Sequence, residues 1–339
     1  MAFIGREAEL RYLEQCYEKN ENQIVVVYGQ KGVGKTALLK TFSGNKLSSY
    51  YYARSCCDRE QRIQWMRELH AFNDNEIWQY NQIFQLKLRD CGPETKIHKK
   101  ILILDEFHYL VKGSPDFFNS LCDFVHSSKE PVMVLLCSSA AGWIENSMIA
   151  KIGSDAAFIS GFLKLREISA SRLRELYPSF SDDDFIQLYA VLGGIPGLWK
   201  RLDASQNARQ NLINHVINKY SGIYSEMSNC LLEELREPAV YNTILGVIAS
   251  GENKLNGIYQ HTGFSRAKIS VYLKNLMEID LIEKYGAGLY RINRSSCKFY
   301  FTYLYPNLSL MEEKSPEQFY REIIEDSFVS FVREACRKS

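Results

Sequence analysis

The eight residues that decide the fold of this chain are Gly29-Gln30-Lys31-Gly32-Val33-Gly34-Lys35-Thr36. They match the pattern G-x-x-x-x-G-K-[ST], follow the apolar run 24–28 and precede the helix-forming residues 37–40. A strand before the pattern and a helix after it are the setting of a phosphate-binding loop. The glycines let backbone N–H groups curl around a polyphosphate, while Lys35 supplies a cation and Thr36 offers a hydroxyl to Mg²⁺. The pattern predicts a nucleoside triphosphate site with contacts from Gly29, Gln30, Lys31, Gly32, Val33, Gly34, Lys35, Thr36 and Ala37.

A second motif, Ile101-Leu102-Ile103-Leu104-Asp105-Glu106, is an apolar strand that ends in two adjacent carboxylates. At the end of a buried strand beside a phosphate loop, Asp105 would hold Mg²⁺ through its water shell. Glu106 would orient and polarise the water that attacks the γ-phosphate. The two motifs together predict hydrolysis as well as binding, with Lys35 and Glu106 as catalytic residues and Thr36 and Asp105 as the metal ligands.

Another apolar run, residues 132–136, is followed by Cys137-Ser138-Ser139. Two interpretations of the serines stay open. A hydroxyl of Ser138 or Ser139 would reach the γ-phosphate or the attacking water, or both serines only begin the turn toward Trp143.

The order of short apolar runs and helical patterns predicts the fold class. Apolar runs at 24–28, 50–53, 101–104, 132–137 and 158–165 alternate with helical spacing, which is typical of a three-layer α/β domain with a parallel sheet. We assign residues 1–168 to this domain. Residues 169–237 lose the β pattern and are predicted to be all-helical, with Asp182, Asp183 and Asp184 at a helix start.

From Pro238 the pattern changes again. Three helical stretches at 240–250, 255–261 and 265–278 precede two strand candidates, 281–285 and 289–292, joined by Gly286-Ala287-Gly288. Three helices and a hairpin describe a winged helix-turn-helix, assigned to 238–310, with a helical tail over 311–339.

The charge of the sequence does not decide between DNA and protein as the partner of this winged segment. The chain has a net charge of +1, but residues 240–310 carry eight Lys or Arg against four acids. A groove of duplex DNA would meet the third helix and the hairpin. The alternative is a face that packs against protein. The candidate DNA contacts are Arg266, Lys268, Ser270, Lys274, Lys284 and Arg291.

Size and composition set the broad class. A chain of 339 residues fits two or three domains, and 46% hydrophobic with 24% charged residues is typical of a soluble globular protein. No apolar run is long enough to span a bilayer, and the first residues lack a secretion signal. Nine cysteines without a C-x-x-C pair suit reduced thiols, so we expect a cytoplasmic protein without a structural metal.

The chain resembles the archaeal-type ATPase family of P-loop proteins, which is related to AAA+ and to the STAND signalling ATPases, in its branch with a winged helix. The resemblance covers nearly the whole chain. The segments that carry it are 3–7 with Leu10, the phosphate loop, 105–110, 192–197, 233–238 with Tyr241, 248–251 and 272–276.

The resemblance implies ATP and Mg²⁺ as ligands and an AAA+/STAND-like sheet followed by a helical lid. It also implies that Phe3, Ile4, Gly5 and Arg6 lie beside the adenine. Residues 193–197 would open a lid helix, with Pro196 near the nucleotide. The plainer alternatives are a solvated helix start at Arg6 and an interhelix turn at Pro196.

This sequence departs from the family pattern in several places. Relatives usually carry Gly-Ser-Ser after the fourth strand, where this chain has Cys137-Ser138-Ser139. Residues 156–163 lack the expected arginine, which leaves Arg166 and Arg201 as candidates for an arginine finger. Longer members continue into a domain similar to restriction endonucleases, whereas residues 328–334 resemble only its opening helix, so no nuclease centre is expected in this sequence.

The leading hypothesis is an ATP-dependent switch that hydrolyses ATP slowly and positions the winged helix. The alternatives are a DNA-binding regulator in which ATP fixes the conformation, and a signalling or defence module that forms homo-oligomers or binds a protein partner. A small-metabolite kinase is disfavoured, because the helical segments offer no acceptor pocket and adjacent acids favour water as the nucleophile.

Overall fold

The five apolar runs predicted as strands pair into one sheet in the computed structural model, which describes residues 5–71, 76–89, 99–229 and 237–337. All pairings within this sheet are parallel. The strands are β1 (Gln23–Tyr28), β2 (Ser48–Tyr52), β3 (Lys100–Asp105), β4 (Val132–Ser138) and β5 (Ile159–Lys164). The predicted α/β fold of the P-loop NTPase type is therefore confirmed.

The strand order, β2-β3-β4-β1-β5, positions the site. Strand β4 lies between β1 and β3, with Tyr28 opposite Ser138 and Leu104 opposite Leu136. β1 and β4 are buried along their whole length, in keeping with their nearly continuous apolar sequences. Because carboxyl ends of parallel strands share one edge, the residues that follow β1, β3 and β4 come together there.

Helices cover the sheet of this first unit, which spans residues 1–166. They are α1 (Glu7–Glu18), α2 (Lys35–Ser43), α3 (Asp58–Glu68), α4 (Tyr80–Arg89), α5 (His108–Gly113), α6 (Phe117–Ser127), α7 (Ala141–Trp143) and α8 (Ile149–Ile152), with a π-helical segment Ile144–Met148 and a 3-10 segment Gly153–Phe158.

The core of the first unit contains a cluster of aromatic residues. Trp65 is fully buried and stacks on Tyr51 with 3.9 Å between ring centroids, and Phe84 meets its edge at 5.6 Å. Burying such a side chain contributes about 2–3 kcal/mol from area alone. This core anchors β2 and α3 on one face of the sheet.

The second compact unit spans residues 167–339. Its hairpin consists of β6 (Ile282–Tyr285) and β7 (Leu289–Ile292). Its helices are α9 (Ala170–Leu176), α10 (Asp182–Leu192), α11 (Pro196–Trp199), α12 (Ala208–Asn211), α13 (Gly222–Ser228), α14 (Pro238–Ala249), α15 (Leu255–Thr262), α16 (Arg266–Glu278), α17 (Ser295–Phe299), α18 (Leu308–Glu313), α19 (Pro316–Phe319) and α20 (Glu325–Cys336), with π-helical segments Leu212–Ile217, Tyr300–Leu304 and Tyr320–Ile324 and a 3-10 segment Tyr305–Asn307.

Within the second unit, α10 packs against α17 and α20. Segments assigned to the predicted lid and to the predicted C-terminal tail are therefore in contact within one compact unit. The division of the chain into four domains stays a prediction. Helix α10 begins as expected at Asp182, where the Ser181 hydroxyl accepts a hydrogen bond from the Asp184 N–H.

Of the helices that the structure describes, none combines the length and apolar character needed to cross a bilayer. Predicted site residues Phe3 and Ile4 and family segment 233–236 lie outside the described residues.

Candidate functional site

The phosphate-loop sequence forms a tight backbone turn between β1 and α2. Gly29, Gly32 and Gly34 have φ angles of 151°, 80° and 105°, which L side chains rarely adopt. A Cβ atom on Gly29 would lie 2.2 Å from the carbonyl oxygen of Leu165, so glycine is also required sterically. Helix α2 begins directly after Gly34 and carries Thr36 and Ala37 in its first turn.

Lys35 lies inside this turn and is only 6% exposed. Its Nζ donates hydrogen bonds to the carbonyl oxygens of Gly29 at 2.8 Å and Gln30 at 3.1 Å. The loop carbonyls thus satisfy a buried ammonium group, which would otherwise be costly to desolvate. The result is one positive charge at the centre of the predicted phosphate contacts.

Asp105 lies at the end of β3 and is 2% exposed. Thr36 Oγ1 donates to Asp105 Oδ2 at 2.9 Å, so the two predicted metal ligands are in direct contact. The Tyr50 hydroxyl donates to the same oxygen at 2.6 Å, and the N–H of Glu106 donates to Oδ1 at 3.0 Å. Sequence reasoning missed Tyr50, because nothing local distinguishes it from the adjacent strand tyrosines.

Glu106 follows Asp105 in a left-handed backbone conformation with φ of 53°, which is uncommon outside glycine. Its Oε2 accepts hydrogen bonds from the N–H and the hydroxyl of Ser139, both at 2.8 Å. Burial raises the pKa of Glu106, while the nearby Lys35 charge and the Ser139 hydrogen bonds act in the opposite direction.

The two serines after β4 have different surroundings. Ser139 binds Glu106, whereas Ser138 is fully buried with its Oγ 2.9 Å from Nδ1 of His108. The same Nδ1 lies 3.3 Å from Glu106 Oε2, so His108 bridges the ends of β3 and β4. Burial, with Lys112 and Lys35 nearby, lowers the pKa of His108 to about 3, so the ring is neutral near pH 7. Sequence reasoning gave His108 no role.

Arg6 is buried at the start of α1 and contacts the phosphate loop directly. One guanidinium nitrogen donates to the carbonyl oxygens of Val33 at 3.0 Å and Arg166 at 2.6 Å, and the other pairs with Glu9 at 2.9 Å. Gly5 precedes it with φ of 90°. Arg6 therefore ties α1 to the loop, and its contact with a base stays a prediction. The Arg166 side chain is exposed.

In the second unit, Pro196 occupies the first turn of α11. The N–H of Gly194 in the preceding turn donates to Glu167 Oε2 at 2.8 Å. Arg201 donates to the carbonyl oxygen of Gly222 at 2.8 Å and pairs with Glu226 at 2.9 Å. The Arg201 guanidinium thus binds residues of the second unit. The predicted roles of Pro196 and Arg201 toward a nucleotide stay predictions.

Most of the candidate DNA contacts are accessible. Arg266, Lys268, Ser270 and Lys274 are exposed on α16, and Lys284 is exposed on β6. Arg291 differs because it is only partly exposed, and it forms an ion pair with Glu283. Arg266 and Lys268 lie over the rings of Tyr259 and Phe264, at 5.3 Å and 4.9 Å from the ring centres.

A known protein family matches the part of the chain that contains the phosphate loop and Asp105. Residues 3–202 match the family model of an ATPase domain predominantly from Archaea. An uncharacterized protein of Methanocaldococcus jannaschii is 25% identical over 331 residues, covering 92% of this chain and 71% of that protein.

Two solved structures share the fold. A Walker-type ATPase of Pyrococcus abyssi superposes with a TM-score of 0.65 at 18% identity, covering 88% of this chain and 96% of that one. The ORC2 protein of Aeropyrum pernix, solved as ADPNP-ADP complexes, superposes with a TM-score of 0.58 at 13% identity. The match covers 91% of this chain and 94% of that one. The family match together with the buried Lys35 and the Thr36–Asp105 contact leads to one conclusion: this chain belongs to the family of ATPase domains found predominantly in Archaea.

Proposed function

We propose that this protein binds ATP with Mg²⁺, hydrolyses it slowly and uses the bound nucleotide as a switch. The observation that carries the proposal is the contact between Thr36 and Asp105, 2.9 Å apart, beside the buried Lys35. A hydroxyl and a carboxylate are the oxygen ligands that Mg²⁺ prefers, and the ammonium group matches a phosphate.

Each side chain of the site has a distinct part in this reaction. Lys35 offsets the charge of the β- and γ-phosphates, and Thr36 with Asp105 would hold Mg²⁺, which when bound neutralises charge on the phosphate oxygens. Glu106 orients the attacking water and accepts its proton. Ser139 holds the Glu106 carboxylate through two hydrogen bonds. We assign Ser139 to the catalytic machinery and Ser138 to the support of His108.

The switch would act on the second unit. Helices α14, α15 and α16 followed by the β6–β7 hairpin have the element order of a winged helix-turn-helix. We infer that the nucleotide state controls how this element is presented to a partner. The order of segments along the chain, with the helical stretch before the wing as in the family resemblance, supports this assignment.

Replacement of Lys35 tests the proposal. Lys35→Ala should weaken ATP binding by roughly tenfold or more and abolish turnover, because a charge-assisted contact to phosphate is lost. Calorimetric titration with ATP and a phosphate-release assay measure the two effects. Lys40→Ala is the matched control, since Lys40 is exposed on the same helix. If Lys35→Ala binds and hydrolyses ATP as the unaltered protein does, the proposed function is wrong.

A second candidate function is ATP-regulated binding of duplex DNA. The specific observation in its favour is that Arg266, Lys268 and Lys274 are exposed on α16. Salt-dependent binding to a duplex tests it. The third alternative is a homo-oligomer or protein-interaction module. For a homo-oligomer, the molar mass of the protein measured by light scattering should differ between ATP and ADP.

A further inference from the structure

Three consecutive tyrosines on the edge strand β2 have three different environments. The Tyr50 hydroxyl reaches Asp105 Oδ2 at 2.6 Å. Tyr51 points to the opposite face of the sheet, where it stacks on Trp65 and donates to Gln61 Oε1 at 2.9 Å. Tyr52 is 51% exposed. Alternation along a strand explains why Tyr50 and Tyr51 differ.

Several groups hold the Asp105 carboxylate, and among them is the Cys137 thiol near the end of β4. Oδ2 accepts from Tyr50 and from Thr36, and Oδ1 accepts from the N–H of Glu106. The backbone donor adjoins Asp105 in the chain, whereas Tyr50 reaches it from the neighbouring strand, where it lies in register with Ile103. Tyr50 therefore constrains the torsion of the carboxylate from outside its own strand.

A phenol hydroxyl is well suited to donate a lasting hydrogen bond to Asp105. A phenol ordinarily keeps its proton near neutral pH, so the Tyr50 hydroxyl can donate its hydrogen bond to Asp105 as a neutral group. A neutral hydroxyl adds no charge, so it leaves the negative charge of Asp105 available for a cation. A lysine at this position would instead compete with a cation for Oδ2.

We propose that Tyr50 is a positioning residue of the nucleotide site, which fixes the orientation of Asp105 so that its Oδ2 faces the hydroxyl of Thr36. The inference rests on the proposed function of the site. Pre-organisation of the Asp105 carboxylate by an outer hydrogen bond lowers the cost of ordering it when the cation binds. Tyr50 would thus act on metal affinity through Asp105.

The variant Tyr50→Phe removes the hydroxyl and keeps the ring. Two measurements apply: calorimetric ADP affinity with Mg²⁺ and with EDTA, and Mn²⁺ binding to the protein–ADP complex by electron paramagnetic resonance. We expect Mn²⁺ affinity to fall by roughly tenfold, as for other outer hydrogen-bond partners of metal ligands. ADP affinity in EDTA should stay unchanged, because Tyr50 acts on Asp105.

Matched controls come from the same strand. Tyr51→Phe removes a buried hydroxyl on the other face, and Tyr52→Phe alters an exposed one, so both should leave Mn²⁺ affinity unchanged. Tyr50→Phe in an Asp105→Asn background should cause no further loss, since the two residues act as one unit. A further loss of similar size in that background would show that Tyr50 acts independently of Asp105 and would overturn the inference.

The outcomes separate the two proposals. If the unaltered protein binds ADP without any gain from Mg²⁺ or Mn²⁺, the proposed function itself fails. If that gain is present and Tyr50→Phe retains it in full, only the positioning role of Tyr50 is wrong.

Discussion

At the residue scale, a carboxyl group with a raised pKa lies beside an imidazole with a lowered pKa at the ends of β3 and β4. Glu106 is a partly buried acid that accepts two hydrogen bonds from Ser139, and His108 lies 3.3 Å from it as a buried, neutral ring. Burial raises the pKa of Glu106, which strengthens it as a base while making its ionised form costly. Such a shift is typical of a functional site.

Glu106→Gln should retain ATP and Mg²⁺ yet lower hydrolysis by roughly 100-fold or more, because the amide cannot accept a proton from water. Binding is measured by titration calorimetry and turnover by phosphate release. Glu130→Gln is the control, since Glu130 lies on the surface in a pair with Lys100. Hydrolysis at the unaltered rate in Glu106→Gln would remove Glu106 from the mechanism.

The raised pKa of Glu106 also predicts the pH dependence. Hydrolysis should decline as the pH falls through this raised pKa, which places the loss at higher pH than for an ordinary carboxyl group. Because the folded state favours the protonated acid, Glu106 contributes stability at low pH that is lost as the pH rises. Glu106→Gln lacks that loss, so it should be at least as stable as the unaltered protein at pH 7 by thermal melting.

At the element scale, the phosphate loop depends on how β1 and β5 end. β1 pairs with β5 on one side and β4 on the other, and the chain beyond β5 brings the Leu165 carbonyl against Gly29. On the other side, the N–H of Gly29 donates to the carbonyl oxygen of Ser138 at 3.3 Å. The loop is thus enclosed by backbone on both sides at its first residue.

Gly29→Ala should therefore destabilise the protein by about 2–4 kcal/mol, because the new Cβ would meet a backbone oxygen and the φ angle disfavours a side chain. Urea unfolding measures this change. Gly113→Ala is the control, since a Cβ there meets its neighbours at 3.7 Å or more and the φ angle is not positive. Equal stability of the two variants would show that the loop relaxes around the extra carbon.

At the scale of the whole molecule, a net charge of +1 gives no long-range field toward nucleic acid. Any DNA binding would come from local charges, and Arg266, Lys268 and Lys274 are exposed on α16. Lys274 is 72% exposed and only loosely paired with Glu278, at 3.8 Å. Phosphates would thus meet little competition at Lys274.

If the second candidate function is right, duplex binding should weaken steeply with salt, and the double change Arg266→Ala with Lys274→Ala should lower the log–log salt slope by about two. Fluorescence anisotropy at several salt concentrations measures the slope. The control is Arg11→Ala with Lys40→Ala, which removes the same charge from exposed positions of the first unit. Absence of salt-sensitive binding, with ATP and without it, contradicts DNA recognition, and a mass change by light scattering would favour the oligomer.

Local patterns were sufficient for the elements that carry the phosphate loop and the adjacent acids. The runs before Gly29 and Asp105 predicted β1 and β3, and the pattern G-x-x-x-x-G-K-T predicted a glycine-rich turn that leads into α2. Strand, turn and helix are specified by neighbours a few residues apart, so one sequence is enough to recognise them. The pairing of Thr36 with Asp105 was also inferable, because two known motifs require it.

Tertiary structure decided which side chains meet across the sheet. Tyr50 and Asp105 are 55 residues apart, His108 and Ser138 are 30 apart, and Arg6 reaches Val33 across 27 residues. These contacts exist because β2, β3 and β4 are neighbours in register and because α1 begins beside the phosphate loop. Periodicity encodes the state of the backbone, whereas the order of strands in a sheet is a property of the folded chain. The supporting partners of the site therefore appear only in three dimensions.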